Sequence, residues 1–265
     1  MRRSEISLYD RLHYQLTKNQ RTENFYRGVY EKIRDRFYSK KDKCLIIGDL
    51  KFAMLSDSQK PTREEAYFAM EIVDILYPAL FHRYHYSDEG PYEWGDVRLS
   101  KDDTVIDCGA NIGVFTLLAA YRGSMVYSFE PIAGARKILR ENLHLNPELE
   151  KRVKIIPKAV GMECSSADFT VLEDTYVGSS MVLNQTGRVE TSQVTTIDDF
   201  AEENRLKIDF IKADIEGAER QMLIGASNTL LRDKPKLSVC TYHLADDKKV
   251  IREIIAKAGY SSITE

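Results

Sequence analysis

The stretch TVIDCGANIG, residues 104–113, decides the fold. Thr104, Val105 and Ile106 form a β-branched run, which is typical of a buried strand. Asp107 ends that run, and the two glycines that follow indicate a tight turn. Residues 114–121 are apolar almost all round, as in a helix buried against a sheet. The stretch therefore predicts strand, glycine turn and helix, the arrangement that recognises nucleotide-like ligands in doubly wound α/β folds.

The same alternation continues to the end of the chain. We predict further core strands at residues 125–130, 153–160, 208–214 and 237–242, and extra hairpin strands within 161–195. Strands that alternate with helices favour a parallel sheet with helices on both faces. The predicted fold class is therefore α/β, with a Rossmann-like sheet in a domain that covers residues 101–265.

Residues 1–100 are predicted to form a helical N-terminal extension and a lead-in loop. Apolar residues recur at helical spacing within 6–38, and residues 44–48 form a short apolar strand or turn that could fill an edge of the main sheet. Thr62 and Glu65 have the spacing of a capping box. They predict a helix that runs to about residue 81 and is interrupted at Pro78.

Composition narrows the class of protein. A net charge of −3 gives no electrostatic reason to expect nucleic acid as a partner. The four cysteines form neither a CxxC pair nor a zinc-binding spacing, which favours a reducing, cytoplasmic compartment. The N-terminus lacks the continuous apolar region of a signal peptide, and no apolar run is long enough to span a membrane.

Four polar residues lie at, or just past, the carboxyl ends of predicted strands: Asp107, Glu130, Asp214 and His243. Ligands of parallel α/β sheets bind beyond these strand ends, so we expect the four side chains to line one site. Glu130 could accept hydrogen bonds from both hydroxyls of a ribose, since an ionised carboxylate has two acceptor oxygens. A structural alternative, in which Asp107 caps the next helix and Glu130 is a surface acid, stays open.

The turn itself disfavours phosphate. A dinucleotide site requires GxGxxG, but Asn111 replaces the middle glycine between Gly109 and Gly113, and no Lys-Ser/Thr of a P-loop follows. Asp107 within the turn would suit a cationic ligand. S-adenosylmethionine carries a sulfonium, an ammonium and a carboxylate but no phosphate, and it fits these features.

Several segments of the sequence resemble a known family. The segments VIDCGANIGVFTLLAA, VYSFEP and ENLHLN are similar to class I S-adenosylmethionine-dependent methyltransferases. The segments TTIDDF, IDFIKADIEGAE and KPKLSVCTYH, with DEGPYE ahead of the turn, resemble the FkbM family in particular. The resemblance implies a seven-stranded sheet and O-methylation of a sugar, glycan or polyketide-type hydroxyl. With sheet geometry, it implies this set of donor-binding residues: Glu89, Asp107, Gly109, Asn111, Gly113, Glu130, Ala159 and Val160.

Methyl transfer to a hydroxyl benefits from a base. We predict Asp214 as that base, with His243 as the alternative. Together with Glu216, these residues could instead bind Mg²⁺ or Mn²⁺, although no spacing requires a metal. The residues predicted to contact the acceptor are Tyr92, Ser179, Ser180 and Glu216, for which turn or packing roles are the structural alternatives. Lys212 is expected to pair with a neighbouring carboxylate.

Two other functions remain as alternatives. A nicotinamide-dependent oxidoreductase would share the ribose-binding acid, but it is disfavoured by Asn111 and by the absence of a Tyr-x-x-x-Lys pair within residues 101–265. A non-catalytic donor-binding module is the second alternative. Residues 260–264 could begin a sixth strand, and an edge left exposed there would favour a homodimer.

Overall fold

The structure, a computed structural model, describes residues 20–56, 60–82, 91–171, 179, 181 and 187–263. The chain divides into two compact units, Met1–Pro91 and Tyr92–Glu265. The domain boundary predicted at residue 100 falls inside the second unit. In the described part of the chain, no helix combines the length and apolar character needed to cross a membrane.

The first unit contains strands as well as helices. Its elements are α1 (Gln20–Phe37), β1 (Tyr38–Ser39), β2 (Cys44–Ile47), β3 (Leu50–Ala53), α2 (Arg63–Glu71) and α3 (Tyr77–Phe81). The strand predicted near Cys44 is therefore confirmed as β2, but β2 pairs antiparallel with β1 and β3 in a small sheet. The suggestion that it fills an edge of the main sheet was wrong. The core of this unit includes Phe52 and Phe68, whose ring centroids are 5.4 Å apart.

The predicted helix start at Thr62 is confirmed. The Thr62 hydroxyl accepts from the Glu65 amide at 3.2 Å, and the Glu65 carboxylate accepts from the Thr62 amide at 2.8 Å, which completes a capping box. Before Pro78 the chain passes through a π-helical turn, Ile72–Leu76. Proline has no N–H to continue the regular ladder, and such turns absorb the lost bond.

Thr62→Ala should lower the free energy of unfolding by about 1 kcal/mol, because it removes the N-cap acceptor. Thr62→Ser keeps the hydroxyl and serves as the control. Urea denaturation followed by circular dichroism measures both variants. Equal stability of the alanine and serine variants would show that the cap contributes nothing.

The second unit contains a five-stranded parallel sheet. Its strands are β4 (Thr104–Cys108), β5 (Met125–Phe129), β6 (Val153–Ile156), β10 (Phe210–Ala213) and β11 (Lys236–Val239), in the order β11-β10-β4-β5-β6. All four pairings are parallel. The helices that accompany it are α4 (Val114–Tyr121), α5 (Ala133–His144), α6 (Pro147–Glu150), α7 (Ile197–Glu203), α8 (Glu219–Ile224), α9 (Ser227–Asp233) and α10 (Asp247–Lys257). The predicted α/β, Rossmann-like fold class is confirmed. The described residues form five strands of the main sheet, where the resemblance implied seven.

The third predicted strand was too long. Residues 153–160 form β6 and then a separate strand, β7 (Ala159–Val160), which pairs with β9 (Arg188–Thr195) instead of continuing the main sheet. Pro157 lies at the break, where a missing amide N–H cannot support a continuous ladder. Strand β9 also pairs antiparallel with β8 (Ser165–Val171), so the predicted hairpin strands are confirmed. Residues 260–263 lie in no strand, and 264–265 fall outside the described residues.

The strand order determines where a site can form. Strand β4 lies between β10 and β5. The chain passes from β4 to β5 on one side, whereas it passes from β10 to β11 on the other side. In register, Asp107 pairs with Lys212 and Cys108 with Ala213, so the loops after β4 and β10 open side by side. The crevice at such a reversal of strand order is where parallel α/β sheets bind ligands.

Candidate active site

The turn after β4 is left-handed at three positions. The φ angles are +76° at Gly109, +49° at Asn111 and +93° at Gly113. The amides of Gly109 and Ala110 both donate to the Phe129 carbonyl at 3.0 Å, and the Gly113 amide donates to the Ala110 carbonyl at 2.8 Å. These bonds hold the turn against the end of β5 and start α4.

Gly109 is required by a close approach as well as by its φ angle. A Cβ placed there would lie 2.1 Å from the backbone oxygen of Asp214. Gly109→Ala should therefore cost at least about 2 kcal/mol of stability, from backbone strain and overpacking together. Gly95→Ala is the matched control, since Gly95 has φ +56° but nothing within 4 Å of the added atom. Thermal denaturation compares the two, and equal losses would contradict the steric argument.

Glu130 directly follows β5 and faces the turn. One carboxylate oxygen accepts from the Asn111 amide at 2.8 Å and the other from the Ile132 amide at 2.8 Å. Burial raises the pKa of Glu130 to about 7, although both amide bonds and the charge of Arg136 favour the ionised form. Each oxygen keeps one further acceptor position, so two more donors can bind this carboxylate.

Asp107 is fully buried beneath the turn. One carboxylate oxygen accepts from the Thr116 hydroxyl at 2.6 Å, and the other lies 3.2 Å from the Lys212 ammonium. The predicted pairing of Lys212 with a carboxylate is therefore confirmed. The charge of Asp107 is thus compensated inside the protein, and its predicted contact with the donor stays a prediction.

Asp214 directly follows β10, and two tyrosines donate to it. The Tyr92 hydroxyl donates to Oδ2 at 2.7 Å, and the Tyr242 hydroxyl donates to Oδ1 at 3.4 Å. Burial acts to raise the pKa of Asp214, but the charges of His243 and Lys212 and the bond from Tyr92 outweigh it, so the pKa lies below its ordinary value. Asp214 is therefore ionised at neutral pH, with 24% of its side chain exposed.

His243 is buried among three carboxylates. Its Nδ1 lies 3.0 Å from Glu219, and its Nε2 lies 3.5 Å from both Asp214 and Glu216. Burial acts to lower the pKa of His243, but the three acids outweigh it and raise that pKa to about 10. An imidazolium has no lone pair with which to accept a proton, so at neutral pH this environment favours Asp214 over His243 as the base.

A metal would compete with that proton. Asp214, Glu219 and His243 each offer one ligand atom, and these atoms lie within 4.8 Å of one another. Histidine binds metals only through a neutral ring nitrogen, so an ion here would first displace the proton. The Mg²⁺ or Mn²⁺ suggested by the sequence remains a prediction.

The other predicted site residues are placed as follows. Ala159 and Val160 are buried in β7, and Ala159 packs in the same cluster as Ile132, whose amide donates to Glu130. Tyr92 is only 8% exposed and contacts Asp214. Ser179 lies outside any helix or strand, while Glu89 and Ser180 lie outside the described residues.

Sequence reasoning missed the role of Glu219. This residue is fully buried and accepts from the Ile215 amide at 2.8 Å and the Gly217 amide at 3.1 Å, so it shapes the turn after β10. Within that turn Glu216 has φ +54°, which is uncommon for a residue other than glycine. The available signal was an acid within DIEGAE that had no assigned partner.

The whole-sequence comparison decides the family. The chain matches the family described as Methyltransferase FkbM domain over residues 107–262, which is more than half of its length. The chain belongs to the FkbM methyltransferase family. The match includes the glycine turn, Glu130, Asp214 and His243. A search of curated proteins found no match.

A solved structure described as methyltransferase FkbM from Methylobacillus flagellatus KT is similar to this FkbM-family chain. The TM-score is 0.49 and the sequence identity is 19%. The alignment covers 87% of this chain and 52% of that one, so the present chain spans about half of its neighbour's length.

Proposed function

We propose that the second unit is an S-adenosylmethionine-dependent O-methyltransferase. Its acceptor would be a hydroxyl of a sugar, glycan or polyketide-type molecule. The FkbM family supports methyl transfer in general, and the methyl donor and the acceptor class are the finer steps argued here. The donor would supply a methyl group on a sulfonium, which is already activated for displacement.

The donor assignment rests on the hydrogen bonds that the backbone amides of the turn make within the protein. The amides of Gly109, Ala110 and Gly113 bond to backbone carbonyls, and the Asn111 amide bonds to the Glu130 carboxylate. A phosphate-binding turn needs such amides to point at the ligand. These four amides already have partners within the protein, which supports a phosphate-free ligand and disfavours the nicotinamide alternative.

Glu130 would hold the donor's ribose. Its two oxygens each have room for another donor, as the two hydroxyls of a ribose would require. Ala159, in the cluster that includes Ile132, would lie beside the adenine. Asp214 would accept the proton of the attacking hydroxyl, because it is ionised and partly exposed at the neighbouring strand end.

Calorimetry tests the donor assignment directly. We expect the protein to bind S-adenosylhomocysteine and to give no heat with NAD⁺. Binding of NAD⁺ alone would overturn the donor assignment.

Transfer of a labelled methyl group to a panel of oligosaccharides and polyhydroxylated macrolactones tests the reaction. We expect label on an acceptor oxygen, located by mass spectrometry. Donor binding without transfer to any member of a broad panel would favour the non-catalytic module.

A further inference from the structure

Lys212 connects the two halves of the proposed site through one buried ammonium. Its Nζ donates to the Gly109 carbonyl at 2.7 Å and to the Cys108 carbonyl at 3.3 Å, and it lies 3.2 Å from Asp107 Oδ1. Only 5% of the side chain is exposed. Three of its contacts therefore lie on the end of β4 and the first residue of the glycine turn.

The ammonium holds a peptide that is also held from its other side. The Gly109 amide donates to Phe129 on β5, while the Gly109 carbonyl accepts from Lys212 on β10. The turn is thus fixed between the two strands that flank β4. Removal of the ammonium would leave the buried Gly109 carbonyl without its charged donor. A buried acceptor without a hydrogen bond is costly in free energy, so we expect the turn to move in that case.

Tyr92 extends this connection to the acceptor side. Its ring centroid lies 5.2 Å from the Lys212 ammonium, within the range of a cation–π contact, and its hydroxyl donates to Asp214. The ring also packs edge-on against Phe115 of α4 at 5.4 Å. With 8% exposure and these contacts, Tyr92 has little surface left to offer an acceptor molecule.

We propose that Lys212 is a positioning residue for the methyl-donor turn, and that Tyr92 stabilises the same arrangement through its ring over the ammonium. Lys212 itself touches neither donor nor acceptor. It keeps the turn and Asp214 in one register, because Lys212 and Asp214 are two residues apart on the strand and the loop that follows it. This inference rests on the proposed function, since it assumes that the turn binds the donor.

The test is the affinity for S-adenosylhomocysteine in two variants. Lys212→Met should weaken binding by roughly tenfold to a hundredfold, the range expected when a charged hydrogen bond that orders the turn is lost. This variant leaves Asp107 buried without its counter-charge and risks unfolding. The double variant Asp107→Asn/Lys212→Met removes both charges, which usually restores stability, and should still bind at least about tenfold more weakly.

Lys236→Met is the matched control. Lys236, the first residue of β11, also pairs with an aspartate, Asp103 at 2.7 Å, which directly precedes β4, but this pair lies at the opposite end of the sheet. We expect a lower melting temperature and an unchanged dissociation constant. If the double variant keeps both the wild-type melting temperature and the wild-type affinity, the inference about Lys212 is overturned, while the proposed function stands. If the wild-type protein does not bind S-adenosylhomocysteine, the proposed function itself fails.

The role of Tyr92 has its own comparison. Tyr92→Leu removes the ring from the ammonium and should weaken S-adenosylhomocysteine binding several-fold. Tyr92→Phe keeps the ring and should weaken it less. Equal affinities in the two variants would remove the ring from the proposal.

Discussion

Glu130→Ala should weaken the binding of S-adenosylmethionine by about a hundredfold or more, because two charge-assisted hydrogen bonds to the ribose would be lost. The variant should remain folded. The reason is that Glu130 is buried with a pKa of about 7, so that its ionised form destabilises the empty protein at alkaline pH, and the alanine variant removes this effect. Calorimetry with S-adenosylhomocysteine measures the loss, and circular dichroism confirms the fold.

The same residue should make donor affinity depend on pH. Only the ionised carboxylate can accept from both hydroxyls, and Glu130 loses its proton near pH 7 in the empty site. One pH unit below that pKa, only about a tenth of the sites are ionised, so the dissociation constant should be about tenfold larger than on the alkaline plateau. Glu130→Ala should show no such limb.

Stability should depend on pH in the opposite direction. The folded pKa of Glu130, about 7, lies above its ordinary value of 4.5. Glu130 therefore favours the folded state below the lower value, and this contribution is lost as pH rises through about 7, at a cost of about 3 kcal/mol. Glu130→Ala should flatten that decline in urea denaturation. Unchanged donor affinity in the variant would contradict the ribose assignment, whatever the stability shows.

Local sequence patterns were enough to predict the frame of the site. The β-branched run at Thr104–Cys108, the glycines after it and the acids that follow β5 and β10 are each set by a few neighbouring residues. Because carboxyl ends of parallel strands meet at one edge, these short patterns also predicted that Asp214 and His243 would be neighbours, and they lie 3.5 Å apart. The capping box at Thr62 was likewise a local signal.

Long-range pairing and charge state could not be read from the sequence. Asp107 was predicted to suit a cationic ligand, yet its carboxylate pairs with the ammonium of a lysine 105 positions later in the chain. A histidine is ordinarily available as a neutral base, but the three acidic neighbours of His243 come from the turn after β10 and the start of α8, which only tertiary structure brings beside it. The break between β6 and β7 is similar, since Ala159 and Val160 leave the main sheet to pair with β9.

Asp214→Asn should lower the rate of methyl transfer by about a hundredfold, the lower end of the contribution of a general base. The amide is nearly isosteric and can still accept from the Tyr92 hydroxyl, but it cannot take a proton from the acceptor. Donor affinity should stay within about twofold, since Glu130 and the turn keep their contacts. The rate is measured with the acceptor found by the labelled-methyl assay, at saturating donor.

Glu216→Gln is the matched control for that variant. Glu216 is a second acid at the same rim, 26% exposed and also 3.5 Å from His243 Nε2. If the base is Asp214, this change should act mainly on the KM of the acceptor and leave kcat within about threefold, since removal of an exposed contact costs little. Equal losses of kcat in the two variants would mean that neither acid alone is the base.

The pH dependence of kcat separates Asp214 from His243. A carboxylate whose pKa is held below its ordinary value is ionised throughout the neutral range, so kcat should be flat there. His243 keeps its proton until about pH 10, and only above that pH would its loss disturb the Asp214 carboxylate. A neutral imidazole base would instead produce an acidic limb near its ordinary pKa of about 6.5. If kcat at saturating donor shows such a limb, and the limb is kept in Asp214→Asn but lost in His243→Gln, then His243 is the base.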